Sequence, residues 1–400
     1  MLGFVAGIIP LLIMISIIVS FHEYGHYSIA RLFNTRIDRF SVGFGRVLWS
    51  RYDKKGVEWA ISALPLGGYV KFAGDENIAS MAPSFDELEA ARASITAREG
   101  AAAVKDYFHF KPLWQRFLII LAGPAFNFIL AILIYALLNM TFGAVTITPT
   151  VQSVIAGQPA QAAGFKAGDL IVSVDGHATP SVPDVIRVIA LRADTPTRVV
   201  VERNHQPVTL IVTPKRGTID TGDKHDSMQG GVIGLSLGGH AFLHRDDPFS
   251  AIVHGAQDTW TAVDTNLTYI GRIFTGKENG GQLTGIIGMT KKTGDATVDV
   301  ATQKESLAEK SLDLTFAYMQ LMAGISIGVG FVNLLPIPIL DGGHLVFYLI
   351  QSVTKKPVSG GIQTAAFPIA VALIAGLMLF AFWNDINHTG LVQGIGRLFS

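Results

Sequence analysis

The chain contains no cysteine, which rules out a disulfide framework, thiolate metal ligands and a cysteine nucleophile, so any metal must be held by His, Asp or Glu. Charge is scarce too. Only 16% of the 400 residues are charged, and 31 basic and 31 acidic side chains cancel to a formal net charge of zero. No global basic field draws nucleic acid to the molecule, and no nucleic-acid partner is expected. A repeat of fixed period is also missing. What the chain has in surplus is apolar residues, 49% of the total with a mean hydropathy of +0.40, too many for an average soluble protein of this length.

That surplus gathers into four runs, at 2–30, 113–140, 315–337 and 364–384, each long enough for the roughly 20 helical residues that cross a bilayer. The first lacks the basic leader and small-residue cleavage site of a signal peptide, so it reads as a retained helix. Lys and Arg crowd behind it at Arg31, Arg36, Arg39, Arg46, Arg51, Lys54 and Lys55, and recur at Lys355 and Lys356. Both loops are expected to be cytoplasmic by the positive-inside rule. Both termini and the long 143–313 segment then fall on the other face, the periplasm of a bacterial inner membrane. The expected order is a helix over 1–31, a cytoplasmic loop over 32–112, a helix over 113–142 and an outer domain over 143–240. An amphipathic connector over 241–313, a helix over 314–344, a loop over 345–363, a helix over 364–384 and a tail over 385–400 complete it.

Between the first two spans, 44–49, 58–62 and 68–72 alternate apolar and polar residues between glycines, the pattern of a small sheet at the membrane surface. An ordinary hairpin loop with no catalytic part reads the same way. The polar stretch 74–111 suits a solvated surface helix. The outer segment reads as β-rich, with strands at 145–154, 170–174, 198–202 and 208–212 and a helix near 181–193; an amphipathic stretch over 246–274 and a glycine cluster at 280–285 lead back to the membrane.

The chemistry sits in His22-Glu23-Tyr24-Gly25-His26. Four-residue spacing puts both imidazoles on one helix face, where each can offer a nitrogen to one Zn²⁺, and Glu23 stands beside them as a general base. A catalytic zinc takes three protein ligands and keeps one position open. Asp341, in Asn333-Leu334-Leu335-Pro336-Ile337-Pro338-Ile339-Leu340-Asp341-Gly342-Gly343, is the best third ligand, because the first and third spans run in the same direction and bring all three to similar depth. The competing readings are a polar helix end for the histidines and a turn aspartate for Asp341. His344 reads as an interfacial or supporting residue. His240 and His244 share the four-residue spacing, but no glutamate follows His240 and the stretch reads as a loop.

These residues resemble the site-2 proteases, and within them the bacterial regulators of sigma-E. The resemblance rests on four blocks: His22 to His26; Phe44-Gly45 through Pro65-Leu66-Gly67-Gly68-Tyr69-Val70-Lys71; Ala122-Gly123-Pro124-Ala125-Phe126-Asn127; and Asn333 to Gly343. It implies an α-helical polytopic membrane protein with four transmembrane helices, a small membrane-associated β-sheet and an inserted extracytoplasmic PDZ domain. His22, His26 and Asp341 would be the zinc ligands and Glu23 the base; Asn127 and Asn333 would position substrate or stabilise an oxyanion, unless they only tie helices together. Gly67, Gly68 and Tyr69 would hold substrate along a strand.

The outer segment Pro159 to Ile171, followed by Val174-Asp175-Gly176, resembles a PDZ domain with a peptide-binding loop at Ala163, Gly164 and Phe165, or a domain that only blocks bulky ectodomains. One copy is present where some sigma-E regulators carry two, and Ile286 stands where relatives often have proline. The implied function is site-2 cleavage, the hydrolysis of a single-span protein, such as an anti-sigma factor or a signal-peptide remnant, after an upstream site-1 protease has cut it. The alternatives are a membrane PDZ scaffold with a structural or absent metal, and a zincin whose site faces water.

Overall fold

The computed structural model describes residues 2–74, 85–220, 227–278, 280, 284–356 and 360–389. Part of the glycine cluster at 280–285 and most of the tail over 385–400 lie outside these described residues. The chain forms two compact units, Met1–Tyr135 with Thr284–Ser400, and Ala136–Leu283.

The first unit opens with helix α1 (Leu2–Leu32), strands β1 (Ile37–Tyr52) and β2 (Glu58–Phe72), then α2 (Phe85–Glu99) and α3 (Leu113–Thr141), whose last turns belong to the second unit. At 1.5 Å per residue α1 is about 46 Å long, enough for the hydrocarbon core and both headgroup layers. The bent strands pair twice. Segment 37–42 of β1 lies between segments 68–72 and 58–61 of β2, and 47–52 closes on 58–62, so 68–72 is an edge. Tyr27, Ala30, Phe40, Val57, Phe72 and Ile119 form the core that fixes this sheet to α1 and α3. Lys111 Nζ donates to Phe33 O (2.8 Å) and Asn34 O (3.2 Å), occupying carbonyls just beyond the end of α1.

The second unit holds β3 (Ala144–Ile147), β4 (Thr150–Val154), the short α4 (Pro159–Ala162), β5 (Leu170–Val174), β6 (His177–Ala178), α5 (Val182–Ala190), β7 (Thr197–Arg203) and β8 (Gln206–Val212). It continues with β9 (Lys215–Asp220), β10 (Ser227–Val232), β11 (Leu235–Gly238), β12 (Ala241–His244) and α6 (Pro248–Phe274). The main sheet runs β11-β4-β5-β7-β8 with β6 on β5; β9 pairs with β10 and β3 with β12. The expected strand over 145–154 is two strands, because Pro149 has no N–H for a ladder. Val151, Ile171, Val174, Val185, Val199 and Val201 lie in the core. Beneath them Asp169, wholly buried, accepts from Arg203 Nε and Nη2, both at 2.7 Å. The unit extends past residue 240 to take in α6, since Arg272 donates to Ala193 O (2.8 Å) and pairs with buried Glu278.

The remaining elements are α7 (Ile286–Thr302), α8 (Leu307–Asn333), α9 (Asp341–Thr354) and α10 (Gly360–Thr389). Helix α7 was not expected from its glycines and β-branched residues, which are weak helix formers. Contacts supply what propensity does not. Cβ atoms at Gly7 and Gly294 would each lie under 3 Å from the other's N, so α1 and α7 touch backbone to backbone, and Asp385 accepts from Gly285 N (3.0 Å) and Gly288 N (2.9 Å) at the start of α7. The third span begins earlier than expected because Ser306 and Glu309 form a capping box. It also ends earlier, at Asn333, where Pro336 and Pro338 prevent continuation. The four helices long and apolar enough to cross a membrane are Gly3–Leu32, Leu113–Thr141, Leu307–Asn333 and Ala365–Ile386.

Candidate metal centre

Small residues let three helices converge. A Cβ at Gly25 would clash with Ala122 O, and one at Gly330 would lie 3.1 Å from Asn127 Cβ and 3.2 Å from Pro124 O. Ser326 Oγ of α8 donates to Asn127 O of α3 at 2.8 Å. Beyond α8 the two-proline loop folds back over the first turn of α9, so closely that Cβ atoms at Gly342 and Gly343 would run into Leu335 O and Ile337 O. Those two glycines let Asp341, the first residue of α9, face the histidines of α1.

The three predicted ligands meet. His22 Nε2 lies 3.0 Å and His26 Nε2 3.6 Å from Asp341 Oδ2, and the two Nε2 atoms are 3.1 Å apart. Three ligands at zinc bond lengths around a tetrahedral ion would be about 3.3 Å apart. Among the described residues this is the one group of three or more His, Cys, Asp or Glu side chains with metal-binding geometry. Asp341 Oδ2 is buried and makes no hydrogen bond.

The second nitrogen of each ring fixes its tautomer. His26 Nδ1 lies 2.8 Å from Ile119 O, which can only accept, so Nδ1 carries the proton and Nε2 keeps its lone pair. Pro124 lacks an N–H for the carbonyl of Ile120, the residue next to Ile119. His22 Nδ1 lies 3.2 Å from the Asn127 amide, whose other polar atom is buried without a partner. The amide turned so that Oδ1 accepts the Nδ1–H of His22 leaves His22 Nε2 free as well. Two imidazole lone pairs and a carboxylate oxygen then converge where only a cation relieves their repulsion, and the donor set suits Zn²⁺.

Glu23 stands outside this triangle. Its Oε2 accepts from Val70 N at 3.1 Å, so the 68–72 edge of β2 holds the base. Gly68 keeps that approach open: a Cβ there would lie 3.6 Å from Glu23 Cγ and 2.6 Å from Ser41 O. Gly67 is buried, with a φ of 132° that favours glycine. Tyr69 is directed elsewhere, its hydroxyl accepting from Arg39 Nη1 at 3.1 Å and its ring stacking on Phe44.

Asn127 is wholly buried and touches a ligand ring. Asn333 ends α8 and, among the described residues, makes no hydrogen bond to the three ligands. His344 lies one turn past Asp341, outside the ligand triangle. His240 and His244 flank and end a strand instead of sharing a helix face, and His244 pairs with Asp246. In the loop at Ala163, Gly164 and Phe165, the three N–H groups donate to Pro159, Gln161 and Ala160 carbonyls and Phe165 is buried in the core. That triplet therefore presents no free nest of N–H groups, contrary to the expectation of a peptide-binding loop. Ile286 is the first helical residue after the Gly285 cap, a place where proline is merely favourable and isoleucine is tolerated.

Sequence reasoning missed Gly123. A Cβ there would collide with His26 Nε2 and come within 2.8 Å of His22 Nε2. A glycine directly before a proline within an apolar span was the available signal. The carbonyl of Ile119 and the N–H of Val70 are backbone groups and left no trace in residue identity.

A family model described as Peptidase family M50 matches residues 10–377. The chain is 43% identical over 404 residues to "Metalloprotease MmpA" of Caulobacter vibrioides, with both chains covered in full. It is 37% identical to "Putative zinc metalloprotease Atu1380" of Agrobacterium fabrum, covering 96% of this chain and 97% of the relative. With "Putative zinc metalloprotease RC0203" of Rickettsia conorii it shares 32% identity over 96% and 99%.

Proposed function

This chain belongs to peptidase family M50, and we propose that it hydrolyses peptide bonds within single-span membrane proteins that another protease has already shortened outside the membrane. It is a zinc metalloendopeptidase with four apolar helices of spanning length. The observation that carries the proposal is the position of the ligand triangle: His22 and His26 lie inside the span Gly3–Leu32, and Asp341 follows the end of the span Leu307–Asn333.

Zinc, when bound by His22, His26 and Asp341, supplies Lewis acidity to a peptide carbonyl and to water. Glu23 takes a proton from the attacking water and returns it to the leaving nitrogen. The Val70 N–H orients that carboxylate. A helical substrate shields its carbonyls in i to i−4 bonds and must unwind before attack. Apart from the Val70 N–H that Glu23 holds, the edge at 68–72 offers it a strand to pair with, and the buried glycines Gly67 and Gly68 leave room for the approach. Asn127 orients His22, and Asn333 is the second asparagine that would position substrate or stabilise an oxyanion.

In this reading the loops at 32–112 and 345–363 are cytoplasmic and both termini are periplasmic, in a bacterial inner membrane. The β-rich unit acts as a PDZ domain that screens substrates by size or by binding their new ends. The substrates are single-span proteins of the anti-sigma-factor or signal-peptide-remnant kind. The test is a single-span reporter with and without its ectodomain, reconstituted with the wild-type chain and with Glu23→Gln. Cleavage of the shortened reporter by the wild type alone supports the reading. Equal cleavage by Glu23→Gln, or preference for the intact reporter, contradicts it.

A further inference from the structure

We propose that the two-stranded ribbon of β3 and β12 is a lipid-docking surface, seated in the headgroup layer at the end of the second span. The ribbon's register pairs Ala241 with Ile147 and Leu243 with Val145. Alternate residues of paired strands share a face, so these four side chains make one face that is apolar throughout. It is also uncovered: Val145 is 61% and Leu243 64% exposed, and Phe242 on the opposite face is 57% exposed. That opposite face mixes Phe242 and Ala144 with the polar Thr146 and His244, so the ribbon is two-sided, apolar on one face and mixed on the other.

Lipid is the occupant because the ribbon continues a membrane-spanning helix. Only Phe142 and Gly143 separate Thr141, the last residue of the second span, from Ala144, the first of β3, a reach of at most about 11 Å even if extended. The chain is not extended there. Phe142 N and Gly143 N both bond back to Leu138 O, and Gly143 has a φ of 80°. A Cβ on Gly143 would lie 2.8 Å from His244 O and 3.0 Å from Leu243 Cδ1, and Asp246 N bonds to Asn139 O at 3.3 Å. The ribbon is thus clasped to the helix end, within the layer of about 5–8 Å that headgroups occupy on each face. A face of Val, Ile, Leu and Ala gains there what exposure to water would cost. His240 and Arg245, just outside the paired residues, suit the polar side of that layer.

The absence of native cysteine makes the test clean. Nitroxide labels are placed singly at Leu243→Cys, Val145→Cys and, as a water-exposed control on β8, Thr209→Cys, in the full chain in phosphatidylethanolamine–phosphatidylglycerol nanodiscs. The ratio of collisions with oxygen to collisions with a water-soluble nickel chelate is expected to be several-fold higher at 243 and 145 than at 209. Equal ratios at all three would overturn the proposal, as would labels at 243 and 145 shielded from both reagents, which would indicate a protein partner instead. The readout does not involve proteolysis, so it stands or fails independently of the proposed activity.

Discussion

Two carboxylates with buried oxygens, one in each unit, are solved in opposite ways. Asp169 carries its countercharge within the fold, because Arg203 grips it with two nitrogens at 2.7 Å and Lys166 N adds a third donor at 2.9 Å. Asp341 faces only two imidazoles, and its Oδ2 is left without a hydrogen bond. Burying a charge is tolerated when it is paired. A closed pair is a structural device, whereas an open one is a place prepared for a charge that arrives from outside. The same contrast separates a residue that holds a unit together from one that holds a reagent.

The contrast can be broken most severely at the base. Glu23→Gln keeps every ligand and removes the proton acceptor, so hydrolysis of a shortened single-span reporter should fall by a factor of about a thousand or more while zinc content stays at the wild-type level by atomic absorption. Asp341→Asn should lose zinc and activity together, with the thermal stability of the β-rich unit unchanged. Asp169→Asn should do the reverse, leaving zinc in place and costing that unit about 3 kcal/mol, the scale for breaking a buried pair, read by hydrogen exchange of the Leu170–Val174 amides.

Finer changes test how the open site is held. Asn127→Ala removes the acceptor for the His22 ring, and zinc affinity measured by competition with a chelator should drop about 10- to 100-fold. Gly123→Ala places a methyl among the two Nε2 atoms and should lower affinity at least as far without changing a ligand.

The mildest test is pH. Burial alone would push the Asp169 carboxyl up, but the Arg203 guanidinium and the Lys166 N–H outweigh it and hold the group below the ordinary carboxylate range. A carboxyl depressed in the fold stabilises above its unfolded pKa and loses that contribution as pH falls through the folded value. Protection of the β5 and β7 amides should therefore decline only below about pH 4.

Legibility in the sequence followed the range of the interaction. His22, Glu23 and His26 share one helical turn, so spacing alone revealed them, and the four apolar runs revealed the spans to within a few residues except at the start of the third, which begins earlier, at Leu307. Asp341 needed the added inference that two parallel spans end at like depth, and its carboxylate does lie against the His22 ring. Helix α7 escaped because its stability resides in glycine contacts with α1 and in the Asp385 cap, 97 residues from Gly288. The Asp169–Arg203 pair, 34 residues apart across two strands, escaped for the same reason. That the N–H groups of Ala163, Gly164 and Phe165 are engaged within the fold was not legible, because residue type does not say whether a backbone N–H is already used.

The central claim is that α1 and α9 jointly hold one zinc ion through His22, His26 and Asp341. X-ray absorption at the zinc edge, on the full chain in nanodiscs, tests it most directly. The account predicts one zinc per chain with two imidazole nitrogens and carboxylate oxygen at about 2.0–2.2 Å, and loss of the imidazole signature in His22→Ala. A spectrum without imidazole scattering, or one that His22→Ala leaves unchanged, would contradict it.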